Sequence, residues 1–267
     1  INKKDIYFPS YIGTNENLKI LVNRASHILC EWFSKADKNG PLPFDENYKS
    51  IMPVEDGNSA EDLFSEMESL LNNSFNPVHP GSLAHLDPPP LIFSILGDLI
   101  AAGLNNNLLA YELSPGITLL EESLCKWFAK KIGFNDSSGG IAASGGTLSN
   151  LNALIAARNN AGLASDPNCV LIVSEDAHSS FIKCMRIMGL EATNLLRIKT
   201  DNKGCMDIQN LRKTLDDCLI ENKKIFAIVA TLGTTVRGAI DPIKDISDIC
   251  KEKNIWLHID GSIGGIF

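Results

Sequence analysis

The sequence has little positive charge and no long apolar run. Its 24 Lys and Arg residues stand against 32 Asp and Glu residues, for a formal net charge of −8, and the basic residues form no cluster. An acidic chain of this kind is a poor candidate for binding nucleic acid or an anionic membrane surface. No apolar stretch approaches the roughly 20 residues that cross a bilayer. We therefore expect neither a nucleic-acid-binding protein nor a membrane protein.

The sequence also lacks paired cysteines. The seven cysteines stand singly, at positions 30, 125, 169, 184, 205, 218 and 250. Their odd number and the apolar surroundings of several of them predict buried free thiols in a reducing cytosol, and so a cytoplasmic protein. No Cys/His cluster has the spacing of zinc ligands, so no metal site is expected.

Neither end looks like the end of a complete chain. The sequence opens on Ile1 without a charged and then apolar leader, and it stops at Phe267 directly after a glycine-rich turn. We therefore expect a piece of a longer polypeptide. Its 267 residues and 44% hydrophobic content suffice for one large or two smaller globular domains.

The N-terminal part is predicted to be a helical arm, residues 1–75. Residues Asn17–Ser34 carry apolar side chains at helical spacing along one broad stripe. The run Ser59-Ala60-Glu61-Asp62 is typical of a capping box, here opening a second helix that ends near Leu71. Two such helices cannot bury their stripes alone, so we expect them to pack on the main domain or on another subunit.

Residues 76–267 are predicted to form an α/β domain. Short apolar runs alternate with segments of helical periodicity, which is typical of a mainly parallel sheet covered on both faces. The candidate strands are Ile141–Ala143, Val170–Ser174, Leu195–Lys199, Ile225–Ala230 and Ile255–Asp260. Two helices are predicted before the strands: a mostly buried one over residues 91–104 and one that begins at Ser114-Pro115. The other candidate helices are Gly146–Asn160, Ser179–Met188, Ile208–Leu219 and Pro242–Lys253. Asp241 is predicted to cap the last of them.

The last candidate strand ends in a carboxylate, Asp260. Ligands of parallel sheets collect at the carboxyl ends of the strands, where this side chain would lie. A carboxylate is costly to desolvate unless it meets a positive partner, so the position predicts a ligand or side chain of positive charge.

A glycine turn, Ser144-Gly145-Gly146-Thr147, follows the first candidate strand and opens a helix. Free helix amides, bare glycine backbone and a hydroxyl together favour binding of a phosphate group. Taken alone the signal is weak, because glycine turns between strand and helix also serve purely steric needs. The turn is neither G-x-G-x-x-G nor a P-loop, which disfavours a nucleotide and leaves a single phosphomonoester open.

Two more loops follow candidate strands. In Asp176-Ala177-His178-Ser179-Ser180, either Asp176 or Ser179 caps the next helix, or His178 lies flat against a planar aromatic ligand. In the loop from Gly233 to Pro242, the two threonines are turn formers when considered singly. The alternatives stay open at this level.

Taken together and in this order, the motifs resemble those of fold-type I pyridoxal-phosphate enzymes. More narrowly, they are similar to the group II amino-acid decarboxylases, the family of glutamate, aromatic amino-acid, tyrosine and diaminobutyrate decarboxylases. The resemblance runs from about Asn76 to the end of the chain. The residues that carry it are His79-Pro80, Tyr111-Glu112-Leu113-Ser114-Pro115, the run from Ser144 to Asn150, Asp176-Ala177-His178, Gly233-Thr234-Thr235 with Gly238 and Asp241-Pro242, and Trp256-Leu257-His258-Ile259-Asp260.

The resemblance implies the large domain of an aspartate-aminotransferase-like fold, incomplete at its C-terminus, and a pyridoxal 5'-phosphate site. Gly146 and Thr147 would hold the cofactor phosphate, and Gly145 would shape the turn. His178 would stack on the pyridine ring near the reacting centre. Thr235 would support the ring or its histidine by hydrogen bonding.

The same resemblance gives Asp260 its positive partner, the pyridinium nitrogen. A carboxylate held beside that nitrogen keeps it protonated, so the ring can accept the electrons left when carbon dioxide departs. The catalytic residues implied are therefore His178, Thr235 and Asp260. His85 is a candidate neighbour of the substrate.

Two departures from the family pattern bear on function. Gly261-Ser262-Ile263 follow Asp260, where the family usually has two alanines and an aromatic residue, and this change affects the pocket wall. The lysine that binds the cofactor covalently, and the small C-terminal domain, lie beyond the segment that this sequence contains. We therefore expect the 267 residues alone to be inactive.

The resemblance implies decarboxylation of an amino acid to an amine by an enzyme of amino-acid metabolism, without naming the substrate. The apolar stripe of Asn17–Ser34 separately predicts a homodimer, with these helices packed on the partner. Two alternatives remain. One is another fold-type I enzyme, such as an aminotransferase or a lyase. The other is a non-catalytic homologue that acts only in cofactor binding or dimerisation, and the residue at the missing lysine position would discriminate between them.

Overall fold

The computed structural model divides the chain into two compact units, residues 1–105 and 106–267. The residues it describes are 9, 13–40, 45, 48–50, 52–83 and 86–266. The predicted boundary between arm and main domain, at residue 76, falls inside the first unit and stays a prediction. The sheet lies in the second unit, and so do His178, Thr235, Asp260 and the glycine turn at Gly145.

The first unit is helical wherever it has regular structure that is described. Its helices are α1 (Glu16–Ser34), α2 (Ala36–Asn39), α3 (Ala60–Asn72) and α4 (Ile92–Leu104). The predicted capping box forms at the start of α3, where Asp62 N–H donates to Ser59 Oγ at 3.1 Å and Ser59 N–H donates to Asp62 Oδ2 at 3.2 Å. Two N–H groups that lack helical partners are thereby satisfied, and the helix begins where the sequence predicts.

Helix α4 is mostly apolar and lies uncovered. None of its residues is buried, and Phe93 exposes 85% of its surface. The prediction that this helix is mostly buried is therefore wrong for the described chain. Apolar composition shows that a helix needs cover, but it does not show where the covering surface comes from. No helix among the described residues is both long and apolar enough to cross a bilayer.

The second unit alternates helices and strands as predicted. Its helices are α5 (Pro115–Lys131), α6 (Gly146–Asn160), α7 (Ser180–Ile187), α8 (Ile208–Ile220) and α9 (Ile243–Lys253), with short 3-10 turns at Tyr111–Leu113 and Ala192–Asn194. Its strands are β1 (Val170–Ser174), β2 (Leu195–Ile198), β3 (Ile225–Thr231) and β4 (Trp256–Asp260). Each of these strands differs from its predicted range by at most one residue at either end.

The four strands form one parallel sheet in the order β2-β1-β3-β4. Strand β3 is apolar throughout its length and is buried on both faces, as expected for a central parallel strand. One face packs against α6 and α7, and the other packs against α8 and α9. The first core cluster includes Leu154, Val173, Phe181 and Val229, and the second includes Ile172, Leu211, Ile228 and Ile246.

The predicted strand Ile141–Ala143 does not form. The segment is irregular, and the N–H of Ala142 donates to Glu121 Oε1 at 2.7 Å. A strand needs a neighbouring ladder, and a three-residue apolar run before a glycine turn carries no information about whether one is present. This prediction is therefore wrong, although the helix that it was placed before, α6, begins at the predicted residue.

The seven cysteines are free thiols, but only four of them have the predicted burial. Cys169, Cys184, Cys218 and Cys250 are buried in the second unit, whereas Cys30 on α1 is exposed. Burial raises the pKa of the Cys250 thiol to about 11, which keeps this thiol protonated and unreactive at neutral pH.

Candidate active site

Strand β4 brings two buried polar side chains to the edge of the sheet. Successive side chains of a strand point to opposite faces, so His258 and Asp260 lie on the same side. Asp260 is the last residue of β4, pairs with Thr231 of β3 and exposes only 6% of its surface. The predicted carboxylate therefore stands at the carboxyl end of a parallel strand, where ligands of such sheets bind.

The glycine turn lies beside the turn that follows Asp260. Helix α6 begins at Gly146, and a Cβ atom added there would lie 3.2 Å from Ser262 Oγ. A larger residue at 146 would press on this hydroxyl, so glycine permits the close approach of the two segments. The first N–H groups of α6 have no partner within the helix and are the ones available to an anion.

A cleft of about 500 Å³ opens between these two segments. It is lined by Gly146, Ser149, Asn150, Ala153 and the run His258-Ile259-Asp260-Gly261-Ser262. The structure thus brings together two predicted site residues that are 114 positions apart in the sequence, Gly146 and Asp260. One small molecule can contact both, which is the geometric condition for the predicted cofactor site.

His178 occupies the loop between β1 and α7, directly before the N-cap residue of that helix. Its Nδ1 accepts a hydrogen bond from Ser180 N–H at 3.1 Å, so a neutral ring carries its proton on Nε2. Ser179 stands at the N-cap position without a capping side-chain bond, and Asp176 forms an ion pair with Arg237 at 3.3 Å. Neither of the two residues predicted as alternative caps makes the capping bond.

The threonine loop contains one buried and one exposed hydroxyl. Thr234 is buried, and its Oγ1 accepts from Ala239 N–H at 3.1 Å, which is the turn-forming role expected of a threonine. Thr235 is exposed and, like His178, does not line the cleft at Asp260. The ion pair between Asp176 and Arg237 nevertheless places this loop next to that of His178.

Asp241 is buried and does not cap α9. Its Oδ1 accepts from Met206 N–H at 2.7 Å and its Oδ2 accepts from Thr231 N–H at 2.8 Å. The N-cap residue of α9 is Pro242, which makes no side-chain cap. The prediction of Asp241 as a cap is wrong because two buried amides elsewhere in the chain take both carboxylate oxygens. Burial raises the pKa of Asp241, and these two hydrogen bonds oppose the rise.

Three residues at Asp260 were not predicted as site residues. Asn150 Nδ2 donates to Asp260 Oδ2 at 3.2 Å, and Ser262 Oγ donates to Asp260 Oδ1 at 2.6 Å. His258 Nε2 lies 2.9 Å from Asn150 Oδ1. Burial lowers the pKa of His258, and the charge of Asp260 opposes this effect. The sequence signal that could have identified Asn150 is its position in the second turn of α6, the helix that begins at the candidate phosphate-binding turn.

We next consider metal-binding side chains and the candidate substrate neighbour. Among the described residues, no three His, Cys, Asp or Glu side chains cluster in a way that would hold a metal ion. His85, the candidate substrate neighbour, lies outside the described residues. The chemistry of this site therefore has to be argued from a carboxylate, an amide, hydroxyl groups and helix N–H groups.

Comparison with known families decides the relationship. Residues 48–267 match the family described as the pyridoxal-dependent decarboxylase conserved domain. The chain belongs to this family. The resemblance that the sequence motifs predicted is confirmed.

Known pyridoxal-dependent decarboxylases extend the comparison. The chain is 31% identical over 237 residues to an L-2,4-diaminobutyrate decarboxylase of Acinetobacter baumannii, covering 81% of this chain and 46% of the relative. It is 32% identical over 215 residues to an aromatic-L-amino-acid decarboxylase of Bacillus atrophaeus, covering 79% of this chain and 44% of the relative. The chain thus spans less than half the length of these curated relatives.

A solved structure supports the fold assignment. The glutamate decarboxylase domain of a Vibrio parahaemolyticus protein, described as a diaminobutyrate-pyruvate transaminase and L-2,4-diaminobutyrate decarboxylase, superposes with a TM-score of 0.89. It is 22% identical and covers 98% of this chain and 61% of the solved chain. At this identity the likeness concerns the fold alone. The predicted α/β fold-type I architecture is confirmed.

Proposed function

We propose that the full-length protein decarboxylates an L-amino acid to the corresponding amine and carbon dioxide, using pyridoxal 5'-phosphate. The observation that carries this proposal is the cleft that Gly146 and Asp260 line together, in a chain of the pyridoxal-dependent decarboxylase family. One end of the cleft offers unpaired helix amides, and the other offers a nearly buried carboxylate. These groups match the two charged ends of the cofactor.

The phosphate end fits the glycine turn. The N–H groups of Gly146 and Thr147 belong to the first turn of α6, where the helix dipole favours negative charge. A side chain at Gly146 would meet Ser262 Oγ and narrow the approach. We assign phosphate binding to Gly146 and Thr147, with Gly145 shaping the turn.

The ring end fits Asp260. Its carboxylate lies at the end of β4 and lines the cleft, so it can accept a hydrogen bond from a protonated ring nitrogen. When bound, pyridoxal phosphate supplies an electron sink for the carbanion that decarboxylation produces. The task of Asp260 is to hold the proton on the ring nitrogen throughout.

We assign stacking on the ring to His178 and a supporting hydrogen bond to Thr235. The bond from Ser180 N–H to His178 Nδ1 fixes one side of the imidazole, and the neutral ring then donates only from Nε2. The ion pair between Asp176 and Arg237 supports the closeness of the two loops. These two roles make His178 and Thr235 part of the proposed catalytic set with Asp260.

The experiment is an assay of carbon dioxide release by the full-length protein with added pyridoxal phosphate. The amino-acid panel contains acidic, aromatic and short basic members, including 2,4-diaminobutyrate, and Asp260→Ala is run in parallel. We expect release from one class of substrate by the wild type alone. Release of no carbon dioxide from any member, or transamination in its place, would contradict the proposal.

The 267 residues alone are proposed to be inactive in this assay, because the family resemblance places the lysine that binds the cofactor covalently beyond them. Amine formation by this chain would show instead that a residue within it replaces the lysine. The absorbance of bound cofactor after borohydride treatment is the complementary measurement, since covalent fixation requires an amino group at the site.

We propose that the full-length protein is a cytoplasmic homodimer. Uncovered apolar surface on α4 and the apolar stripe of α1 support a partner subunit, and the free buried thiols support a reducing compartment. Sedimentation that shows a stable monomer of the full-length protein would count against the dimer. Cell fractionation tests the compartment.

A further inference from the structure

Four buried polar side chains meet at the wall of the cleft, and hydrogen bonds link all of them. Asn150, Ser180, His258 and Asp260 expose 6%, 0%, 8% and 6% of their surfaces. Asn150 is the centre, because its Nδ2 donates to Ser180 Oγ at 3.2 Å and to Asp260 Oδ2 at 3.2 Å, while its Oδ1 faces His258 Nε2 at 2.9 Å. A buried network with every member bonded fixes its side chains in one arrangement.

The orientation of the Asn150 amide follows from its surroundings. If the amide were turned by 180°, its oxygen would lie 3.2 Å from Asp260 Oδ2, and two acceptors would face each other. The carboxylate therefore requires Nδ2 on its side and Oδ1 on the side of His258. Since Oδ1 can only accept, His258 Nε2 must carry a proton, and the histidine locks the amide in place.

The second oxygen of Asp260 is held from the following turn. Ser262 donates twice to Oδ1, from its Oγ at 2.6 Å and from its backbone N–H at 3.2 Å. A carboxylate has about four acceptor sites in its plane, two on each oxygen. These bonds occupy both sites on Oδ1, and Asn150 occupies one site on Oδ2, so one acceptor site on Oδ2 is left.

We propose that Asn150 and Ser262 are positioning residues, which hold the Asp260 carboxylate by its two oxygens and leave one acceptor site, on Oδ2, for the ring nitrogen of the cofactor. This inference rests on the proposed function. His258 acts one step further back, through Asn150. If either Asn150 or Ser262 no longer donates, the Asp260 carboxylate can rotate about its Cβ–Cγ bond, and it then contacts the ring nitrogen for only part of the time.

The first experiment measures the dissociation constant of pyridoxal phosphate for the full-length protein and its variants. We expect about tenfold weaker binding for Asn150→Leu and about threefold for Ser262→Ala, because each loses a hydrogen bond to a charged group. Ser262→Thr keeps the hydroxyl and should stay within about twofold of the wild type. Asn159→Leu makes the same chemical change at an exposed position of α6 and serves as the control.

The second experiment measures protonation of the cofactor's ring nitrogen, which a merely structural change would not alter. With cofactor labelled with ¹⁵N in the ring, the ring-nitrogen resonance reports its protonation. We expect Asn150→Leu and Ser262→Ala to move this resonance part of the way toward its position in Asp260→Ala. Ser262→Thr and Asn159→Leu should leave it at the wild-type position.

The third experiment needs no cofactor. The ¹⁵N resonances of the His258 imidazole in the unliganded protein should show a proton on Nε2 and none on Nδ1. The opposite tautomer would overturn the proposal, because the Asn150 amide would then have to be turned. If Asn150→Leu fails to fold, this measurement and the pair Ser262→Ala and Ser262→Thr decide the matter, since Ser262 is exposed.

The outcomes separate this inference from the function on which it rests. If both positioning variants keep the wild-type affinity and ring-nitrogen resonance while Asp260→Ala changes both, the positioning role is wrong and the proposed function stands. If the wild type does not bind pyridoxal phosphate, or if Asp260→Ala changes neither quantity, the proposed function fails and the positioning role fails with it.

Discussion

Two buried aspartates lie near the carboxyl ends of the neighbouring strands β3 and β4, but they are held by different partners. Asp241 is bonded to the backbone N–H groups of Met206 and Thr231 and thereby ties two segments of the fold together. Asp260 is bonded mainly by side chains, from Asn150 and Ser262, and it lines an open cleft. We interpret Asp241, which backbone amides hold, as a residue that stabilises the fold, and Asp260, which side chains hold beside a cleft, as the carboxylate proposed to act in chemistry.

The largest expected effect is on catalysis at Asp260. In the full-length protein, Asp260→Ala should lower turnover by more than ~10³-fold, because nothing then holds the proton on the ring nitrogen. The free energy of unfolding should fall less than in Asp241→Ala, since water in the cleft can reach the Asn150 and Ser262 donors that lose their acceptor. Steady-state kinetics and urea unfolding measure the two effects, and near-normal turnover would show that Asp260 has no such role.

The matching change at Asp241 should reverse the pattern. Asp241→Ala leaves two buried N–H groups without acceptors, so the free energy of unfolding should fall by about 2 to 4 kcal/mol. Turnover per folded molecule should change far less than for Asp260→Ala. Urea unfolding monitored by circular dichroism gives the first quantity. If the variant kept full stability but lost turnover, Asp241 would belong to the active site and the contrast would be wrong.

A smaller effect is expected at His258, and it depends on pH. Burial holds the pKa of His258 below its ordinary value, so the folded protein keeps the ring neutral while the unfolded chain takes up a proton below about pH 6.5. This histidine therefore weakens the fold as the pH falls from 7.5 toward 5.5. His258→Gln should reduce that loss of stability, with His27→Gln, at an exposed position of α1, as the control.

The unfolding free energies at the two pH values decide the point. A wild-type loss of stability equal to that of His258→Gln would mean that the imidazole is not the titrating group. A larger loss in the variant would contradict the sign, because it would require the folded state to bind the proton more tightly than the unfolded chain does.

Local sequence patterns predicted most of the second unit and two residues, Gly146 and Asp260, that line its candidate cleft. Strands β1 to β4 and helix α6 follow from alternating apolar runs and turn residues, which act over a few positions. Asp260 and Gly146 could be singled out because strand ends and helix starts are recognisable locally. The family resemblance added the order of the motifs, which no single motif carries.

What could not be predicted depends on contacts between distant parts of the chain. Asn150 reaches Asp260 across 110 positions and His258 across 108, and no local pattern reports such a pairing. Asp241 has the sequence position of a helix cap, but its carboxylate accepts a hydrogen bond from the backbone N–H of Met206, 35 residues away. The strand predicted at Ile141–Ala143 failed for the same reason, since a strand exists only where a neighbouring strand accepts it.

The smallest expected effect concerns a third carboxylate, Asp176, which is partly exposed and paired with Arg237 at 3.3 Å. An ion pair whose arginine is more than half exposed contributes little, so Arg237→Ala should lower the free energy of unfolding by less than ~1 kcal/mol. Arg212→Ala, which removes the exposed pair with Glu252 on another part of the surface, is the matched control. Turnover should change little in both variants, because neither arginine lines the cleft at Asp260.

If Arg237→Ala lowered turnover as strongly as Asp260→Ala while Arg212→Ala did not, the ion pair between Asp176 and Arg237 would be what holds the loops of His178 and Thr235 in their working positions. The distinction between carboxylates that serve the fold and those that serve the site would then have to include Asp176 on the side of the site.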